Sequence, residues 1–327
     1  MKRVLDFSAA ENRVCRLLGI RYPLAAAPMS RISGAALVAA VSEAGGIGVL
    51  AVNAGMTPGE SLSAAERLER EMKRVRALTD KPFGVNLILP ESSADREGAA
   101  HAESVIDAAA ACGASAFFAI GGLSEHFFSR AKASGASLVY RPLTPTLERA
   151  RTAQDMGADA IVATGYDEGG FLPSRVQGTF TIVPEMADAV KIPVLAAGGI
   201  NDIRGVRAAF ALGAEGVYVG TRFIASHEAA ASEAAKRALV EAESESLLYL
   251  GPRERTAATP FAKAMREAQA LSPAAAAALR EGIDAYTEGM VKGDLKRGVV
   301  CVNSGAGLVT SIRPAGEIVR ELMADFD

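Results

Sequence analysis

The sequence contains no tryptophan and only three cysteines in 327 residues. Cys15, Cys112 and Cys301 are isolated from one another and form no Cys-x-x-Cys pair. This pattern argues against a zinc site and against a disulfide framework, and it favours a reducing compartment. We therefore expect a cytoplasmic protein without a bound metal.

The sequence also lacks an excess of positive charge and lacks long apolar runs. Lys and Arg number 35 against 38 Asp and Glu, a formal net charge of −3, so the electrostatic footprint of a nucleic-acid-binding protein is missing. No apolar run approaches the roughly 20 residues that span a bilayer, and charges throughout residues 1–20 argue against a signal peptide. We expect a small-molecule substrate, no nucleic acid and no membrane. The subunit number stays open, with a homodimer as one option.

A repeated pattern of helix, glycine and apolar strand organises most of the chain. Gly113, Gly135 and Gly157 each follow an alanine-rich amphipathic segment and precede an apolar one, and Gly213 does the same later. This is typical of βα units that feed a parallel sheet covered on both faces. The pattern predicts helices near 33–44, 62–78, 99–112, 124–134, 145–156, 181–190 and 202–212. It predicts eight strands, near 23–27, 47–51, 83–88, 115–120, 137–141, 159–164, 194–197 and 216–219.

Eight such units predict an α/β fold of the closed TIM (β/α)8 barrel type. An open Rossmann-type sheet would need about six strands, and no G-x-G-x-x-G follows the first strand. The alternation stops after Phe223, and residues 226–285 are alanine-rich, which predicts helices without strands. We expect a barrel from 1–225 and 301–327, completed by a helix over 314–323. Residues 226–300, hereafter the cover, are predicted to form a small helical domain over the substrate entrance.

Two neighbouring strand ends carry the residues that a phosphate group requires. The strand near 194–197 ends at Gly198 and Gly199, and the strand near 216–219 ends at Gly220 and Thr221. Small residues allow a phosphate to approach the backbone closely, and unpaired backbone N–H groups can donate hydrogen bonds to an anion. Barrels often bind phosphate on the loops after their last two strands. We predict a phosphate site here, with two ordinary tight turns as the alternative.

The segment 164–180, hereafter the long loop, is the second candidate region. A loop longer than about 12–15 residues within a compact domain is usually functional or disordered. Tyr166, Phe171 and Phe180 supply apolar anchors, which argue against disorder. Arg141, at the end of the fifth strand, is predicted to be buried and therefore to need an anionic partner.

The motifs occur in the order and spacing of a known family. They are LLGIRYPLAAAPM at 17–29, SEAGGIGVL at 42–50, PFGVNL at 82–87, GADAIVATGYDEGG at 157–170, VPEMADAV at 183–190, PVLAAGGI at 193–200, GVYVGTRF at 216–223 and GAGLV at 305–309. The chain resembles the nitronate monooxygenase (2-nitropropane dioxygenase-like) flavin family, which also contains flavin enoyl-thioester reductases and NADH:quinone reductases. The resemblance covers nearly the whole chain.

The resemblance implies a barrel that binds FMN non-covalently, with NAD(P)H as a candidate reductant. It places Ala27, Pro28 and Met29 beside the isoalloxazine and predicts a hydrogen bond from Asn86. It also implies further contacts with the cofactor. Arg141 is expected to face the reduced flavin or its phosphate because a buried guanidinium needs an anionic partner. Those remaining contacts are Thr164, Gly169 and Gly170 in the cleft and Gly198, Gly199, Tyr218, Val219, Gly220 and Thr221 at the phosphate.

One departure from the family concerns its catalytic position. The family's loop usually reads Gln-Gly-x-Glu-Ala-Gly-Gly-His, whereas here Thr164 replaces the glutamine and Phe171 replaces the catalytic histidine. Phenylalanine neither donates nor accepts a proton. Tyr166 and His126 are the candidates to take over that role, while Asp167 is expected to be structural.

Two classes of function remain open from the sequence. The first is an FMN-dependent oxidoreductase, which either passes hydride from NAD(P)H to an enone, carbonyl or quinone or oxidises an alkyl nitronate with O2. The missing histidine favours the reductase. The second is a flavin-independent barrel lyase or isomerase acting on a phosphorylated metabolite through the same phosphate site.

Overall fold

Eight parallel strands form a closed barrel, which confirms the predicted fold class. The computed structural model describes residues 11–56, 60–92 and 94–326. Residues 1–10, 57–59, 93 and 327 of the predicted barrel domain lie outside the described residues. The barrel strands are β1 Leu24–Ala26, β2 Ile47–Leu50, β3 Phe83–Leu89, β4 Ala116–Gly121, β5 Ser137–Arg141, β6 Ala160–Thr164, β8 Val194–Ala197 and β9 Gly216–Val219. A short strand in the long loop, β7 Gly170–Phe171, lies outside the barrel.

The helices between these strands form the outer ring. They are α2 Ala35–Glu43, α3 Ala64–Leu78, α4 Arg96–Ala111, α5 Glu125–Ala133, α6 Leu147–Asp155, α7 Thr179–Ala189 and α8 Ile203–Ala211. Local sequence sets their ends: Ser63 and Glu66 form a reciprocal capping box at the start of α3, which satisfies two otherwise unpaired N–H groups. Helix α13, Ala315–Leu322, packs against α2 and α8 and completes the ring as predicted.

A short amino-terminal helix closes one end of the barrel. Helix α1, Arg13–Leu18, begins at Asn12, whose side chain accepts a hydrogen bond from the Cys15 amide. Val14 and Leu18 of this helix are buried against the apolar residues of the barrel interior. The carboxyl ends of the strands are therefore left as the open face, which is where barrels place their sites.

The prediction of a purely helical cover is wrong. Strands β10 Leu248–Gly251 and β11 Glu254–Thr256 form an antiparallel hairpin, and β11 also pairs with β7 in the long loop. Gly251 and Pro252 lie at the turn of this hairpin. The helical part comprises α9 Thr221–Ile224, which leads into it, α10 Glu233–Val240, α11 Pro260–Leu271, α12 Pro273–Arg280 and a π-helical turn at Thr287–Lys292.

The cover has its own small core, built from Leu250, Phe261, Met265 and Val299. The three-stranded sheet nevertheless ties it to the long loop, so the cover contacts the open face of the barrel. Its predicted boundaries at 226 and 300 stay a prediction. Across the described ranges, no helix combines the length and apolarity needed to cross a bilayer.

Candidate active site

The open end of the barrel leads into a cleft of about 820 Å³ beneath the cover. This volume is within the range of cofactor and ligand sites. Most of the residues predicted from sequence as cofactor contacts line this one cleft, together with residues 251–254 of the cover. The predicted residues that line it are Ala27, Pro28, Met29, Asn86, Arg141, Gly169, Gly170, Phe171, Gly198, Gly199, Tyr218, Val219, Gly220 and Thr221.

One end of the cleft presents unpaired backbone donors. Within the described part of the chain, the N–H groups of Gly199, Gly220 and Thr221 have no hydrogen-bond acceptor. The Thr221 hydroxyl oxygen accepts from the Asn303 amide at 3.0 Å, so its own hydrogen remains available to donate. Gly199 has a φ of 73°, a left-handed conformation that favours glycine. This group of donors could bind an anion.

The amino end of α8 adds little to this group of donors. The side chain of Asp202 accepts hydrogen bonds from the first free N–H groups of α8, those of Arg204 and Gly205. These two groups are therefore already satisfied by the protein. The anion-binding capacity lies in the two loops that follow β8 and β9.

Gly169 is packed tightly against this end of the cleft. A Cβ atom at Gly169 would lie 2.8 Å from both the Thr221 hydroxyl oxygen and the Asn303 nitrogen, so a larger residue would displace them. Asn303 and Asn201 are joined by a pair of amide hydrogen bonds of 2.9 and 3.0 Å. The arrangement fixes the position of the Thr221 hydroxyl.

The other walls of the cleft are held by hydrogen bonds from buried groups. The amide nitrogen of Asn86 donates to the Phe118 carbonyl at 3.0 Å, which orients the Asn86 amide. The Tyr286 hydroxyl of the cover donates to the Ser30 carbonyl at 2.8 Å, and this fixes the loop after β1. Burial raises the pKa of Tyr218 well above its usual range, so its phenol stays protonated at neutral pH.

Arg141 has an anionic partner within the protein, while its predicted contact with the flavin or its phosphate stays a prediction. Its Nε donates to the Thr164 hydroxyl at 3.2 Å, and its Nη2 pairs with the Glu168 carboxylate in the long loop. Thr164 is fully buried and does not line the cleft, so its predicted contact with the cofactor stays a prediction. The two ion-pair side chains are only 13% and 12% exposed. Glu168 was not predicted from the sequence, because a charged loop residue is usually solvated.

Glu168 is electrostatically unusual. Burial raises its pKa to about 7, although the guanidinium groups of Arg141, Arg255 and Arg253 act to lower it. Its Oε2 atom accepts from Arg141, whereas Oε1 is buried and has no hydrogen-bond partner among the described residues. Glu168 also lines the cleft.

Two of the three predicted catalytic residues do not line the cleft. The Tyr166 hydroxyl donates to the Pro252 carbonyl at 3.1 Å and so links the long loop to the hairpin. His126 is exposed and pairs with Glu103 between the outer helices α4 and α5. The chain has three histidines, and within the described residues none of them lines the cleft.

Phe171 lies at the mouth of the cleft. It is 56% exposed, and the Arg253 guanidinium lies 3.8 Å from its ring centroid, a cation–π contact. Asp167 is structural: its carboxylate accepts from the Thr179 amide at 2.7 Å and so holds the start of α7. Among the described residues, no group of three or more His, Cys, Asp or Glu side chains could hold a metal ion.

Known proteins resemble this chain along most of its length. The family model described as nitronate monooxygenase matches residues 11–325. A probable nitronate monooxygenase of Staphylococcus aureus (strain Newman) is 32% identical over 274 residues, covering 71% of this chain and 73% of the relative.

Solved structures share the fold across the whole barrel and cover. FabK from Thermotoga maritima is 33% identical, with a TM-score of 0.82 over 97% of this chain and 96% of that one. A nitroalkane oxidase from Streptomyces ansochromogenes is 25% identical, with a TM-score of 0.76 over 96% of this chain and 98% of that one.

Proposed function

The chain belongs to the nitronate monooxygenase family, and from this premise we propose that it is an FMN-dependent oxidoreductase that uses NAD(P)H to reduce an electron-poor enone, carbonyl or quinone. Bound FMN would supply hydride and electron transfer. The protein's own residues would bind and orient the cofactor and substrate and supply the proton.

The anion-binding end of the cleft supports FMN as the cofactor. The unpaired N–H groups of Gly199, Gly220 and Thr221, with the Thr221 hydroxyl, suit the dianionic phosphate of the cofactor. Pro28 and Met29 would lie beside the ring system, in agreement with the resemblance. The residues present therefore fit FMN.

The single observation that carries the reductase assignment is the absence of an imidazole from the described cleft. Phe171 stacks with Arg253 at the mouth, where the family's loop has its histidine. A nitroalkane must lose a proton before oxidation, and a neutral histidine is the usual base for this. Hydride transfer to an acceptor instead requires a proton donor, which a protonated side chain can supply.

Nitronate oxidation is the second candidate, because the family and the Staphylococcus relative carry that name. A nitronate that is supplied already ionised needs no base. The two reactions differ in which compound reduces the flavin, so they can be separated directly.

The decisive experiment is anaerobic reduction of the purified protein. NADH, NADPH and an alkyl nitronate are each mixed with the enzyme, and bleaching of the flavin absorbance is followed. We expect rapid reduction by one or both nucleotides and slow reduction by the nitronate. Rapid reduction by nitronate and none by either nucleotide would overturn the reductase assignment. A colourless protein without flavin would instead favour the lyase or isomerase.

A further inference from the structure

The cleft contains a carboxyl group with one free oxygen. Glu168 follows β6 in the long loop, and Arg141 holds its Oε2 atom from the end of β5. The Oε1 atom is buried, and no described residue donates a hydrogen bond to it. A buried carboxylate oxygen without a donor is costly. A proton would lower that cost by removing the charge, and a hydrogen bond donated by a ligand would satisfy the oxygen.

The charged groups around Glu168 come from several elements. Arg141 lies on β5, Arg253 lies at the turn of the hairpin and Arg255 lies on β11. Arg255 donates to the Glu168 backbone carbonyl at 2.7 Å, while the phenol of Tyr218 on β9 lies close enough to interact electrostatically. Three cations favour the carboxylate and burial opposes it, so the pKa of Glu168 lies near 7. Both protonation states are therefore accessible at neutral pH.

The other phenol, thiol and carboxyl groups that line the described cleft differ from Glu168. Burial raises the pKa of Tyr218 and of Tyr286 beyond the physiological range, and it raises that of Cys301 to about 12. Both carboxylate oxygens of Glu254 are held by Arg280, at 2.8 and 2.9 Å. Glu168 is the group that remains.

The sequence gives an independent reason to single out this position. In the resembling family the loop reads Glu-Ala-Gly-Gly-His, and here Asp167, Glu168, Gly169, Gly170 and Phe171 stand at those positions. A titratable side chain is thus lost at Phe171 and another is gained at Glu168, three residues earlier. Both line the same cleft.

Building on the proposed reductase function, we propose that Glu168 is the general acid of the cleft and donates the Oε1 proton to the substrate. For an enone, FMN held by Gly199, Gly220 and Thr221 would supply a hydride derived from NAD(P)H to the β carbon, and the π electrons would move toward the α carbon and the carbonyl oxygen. The Oε1–H bond then breaks and its proton binds the α carbon or that oxygen. The resulting carboxylate stays paired with Arg141, and a proton from solvent restores the acid.

The first measurement does not depend on turnover. The flavin absorbance of the oxidised holoenzyme is recorded between pH 5 and pH 9. We expect a one-proton spectral transition near pH 7 in the wild type that is absent from Glu168→Gln, which keeps the shape of the side chain. Glu103→Gln is the matched control, since it removes a carboxylate that pairs with an arginine outside the cleft. A transition that survives in Glu168→Gln would overturn the assignment.

The second measurement isolates the protonation step. Enzyme reduced with dithionite is mixed anaerobically with cyclohexenone or menadione, and flavin reoxidation is followed. General acid catalysis contributes roughly 10²–10⁴-fold, so we expect a loss of that size in Glu168→Gln and in Glu168→Ala. The wild-type rate should fall as pH rises through 7, because the acid form is required, and the variants should lose this dependence.

The two proposals fail in different ways. If neither acceptor reoxidises the wild-type enzyme, the reductase function is wrong. The general-acid role is then wrong as well, even if the spectral transition shows that Glu168 titrates. If the acceptors react and Glu168→Gln reoxidises at the wild-type rate with an unchanged pH profile, the reductase stands and the role of Glu168 is wrong.

Discussion

Gly220 has room for a side chain, which makes it a clean probe of the predicted phosphate site. A Cβ atom there would lie 3.5 Å from the Ala27 Cβ and 3.8 Å from the Met29 sulfur, an ordinary van der Waals contact. Gly220→Asp should therefore fold, but its carboxylate would repel a phosphate group in a partly buried site. We expect the variant to purify without FMN, measured as flavin released per chain.

Gly220→Ala is the matched control for this prediction, because it adds the Cβ without the charge. It should keep most of its FMN. Full flavin occupancy in Gly220→Asp would place the phosphate elsewhere in the cleft.

Phe171 offers a second test at the residue scale. In Phe171→His the imidazole would stand beside Arg253, and a neighbouring cation disfavours the protonated form of histidine. The new side chain should therefore stay neutral and act as a base. We expect anaerobic flavin reduction by a neutral nitroalkane to accelerate, by up to roughly 10²–10⁴-fold. Phe171→Asn, which has no titratable group, should show no gain; an equal gain in both would exclude base catalysis.

The location of a residue could be predicted from the sequence where the residue follows the end of a strand. It could not be predicted where it depends on contacts between elements that are distant in the chain. Gly199 and Thr221 follow directly from the ends of two apolar strands. The burial of Glu168 depends on Arg141 from one strand and on Arg253 and Arg255 from a hairpin more than 80 positions later in the chain. No local pattern in the sequence contains that information.

At the scale of elements, the hairpin β10–β11 is the feature that the sequence analysis missed. Its signal is short: Leu248, Tyr249 and Leu250 have strand propensity, and the Gly251 and Pro252 that follow favour a turn. The alanine-rich helical pattern on both sides of this segment obscured the short strand signal. The barrel strands were easier to predict because the same pattern of helix, glycine and apolar segment repeats along the chain.

Arg255 joins the hairpin to the long loop and can be tested as such. It is 1% exposed, and its guanidinium donates to the backbone carbonyls of Glu168 and Tyr166 at 2.7 and 2.9 Å. Hydrogen bonds from a charged donor contribute about 1.5–3 kcal/mol each. Arg255→Met keeps the apolar stem and removes both, so the long loop should open more often.

The measurement is limited trypsin digestion followed by mass spectrometry, with cleavage after the exposed Arg175 as the readout. We expect this cleavage to be at least about tenfold faster in Arg255→Met, since 1.4 kcal/mol corresponds to a factor of ten. Arg266→Met, which removes a surface hydrogen bond to the Tyr249 carbonyl, should digest like the wild type. Unchanged cleavage in Arg255→Met would show that the other contacts of the loop, including the β7–β11 pairing, hold it without this guanidinium.

For the whole molecule, Glu168 predicts how stability depends on pH. Its pKa is raised from the ordinary 4.5 to about 7 by folding, so the folded protein binds more protons than the unfolded chain between these values. The free energy of unfolding should therefore fall as pH rises through this window, by at most about 1.4 kcal/mol per pH unit, and be unaffected by this group outside it.

Urea unfolding of the flavin-free protein at several pH values checks this prediction. Glu168→Gln cannot titrate, so its stability should decline less steeply between pH 4.5 and pH 7. If the free energy of unfolding depends on pH equally in the wild type and in Glu168→Gln, the Glu168 carboxyl group is as well solvated in the folded state as in the unfolded one.

The position of α13 has a consequence for how the protein is made. The last barrel strand ends at Val219, yet the outer ring is complete only when Leu322 and its helix are present, after the entire cover has been made. A ribosome adds roughly 5–20 residues per second, so about 5–20 seconds separate these two points. During that interval the faces of α2 and α8 that α13 will bury are exposed on a nascent chain. Binding by a chaperone, or misassociation between neighbouring nascent chains, would occur there first.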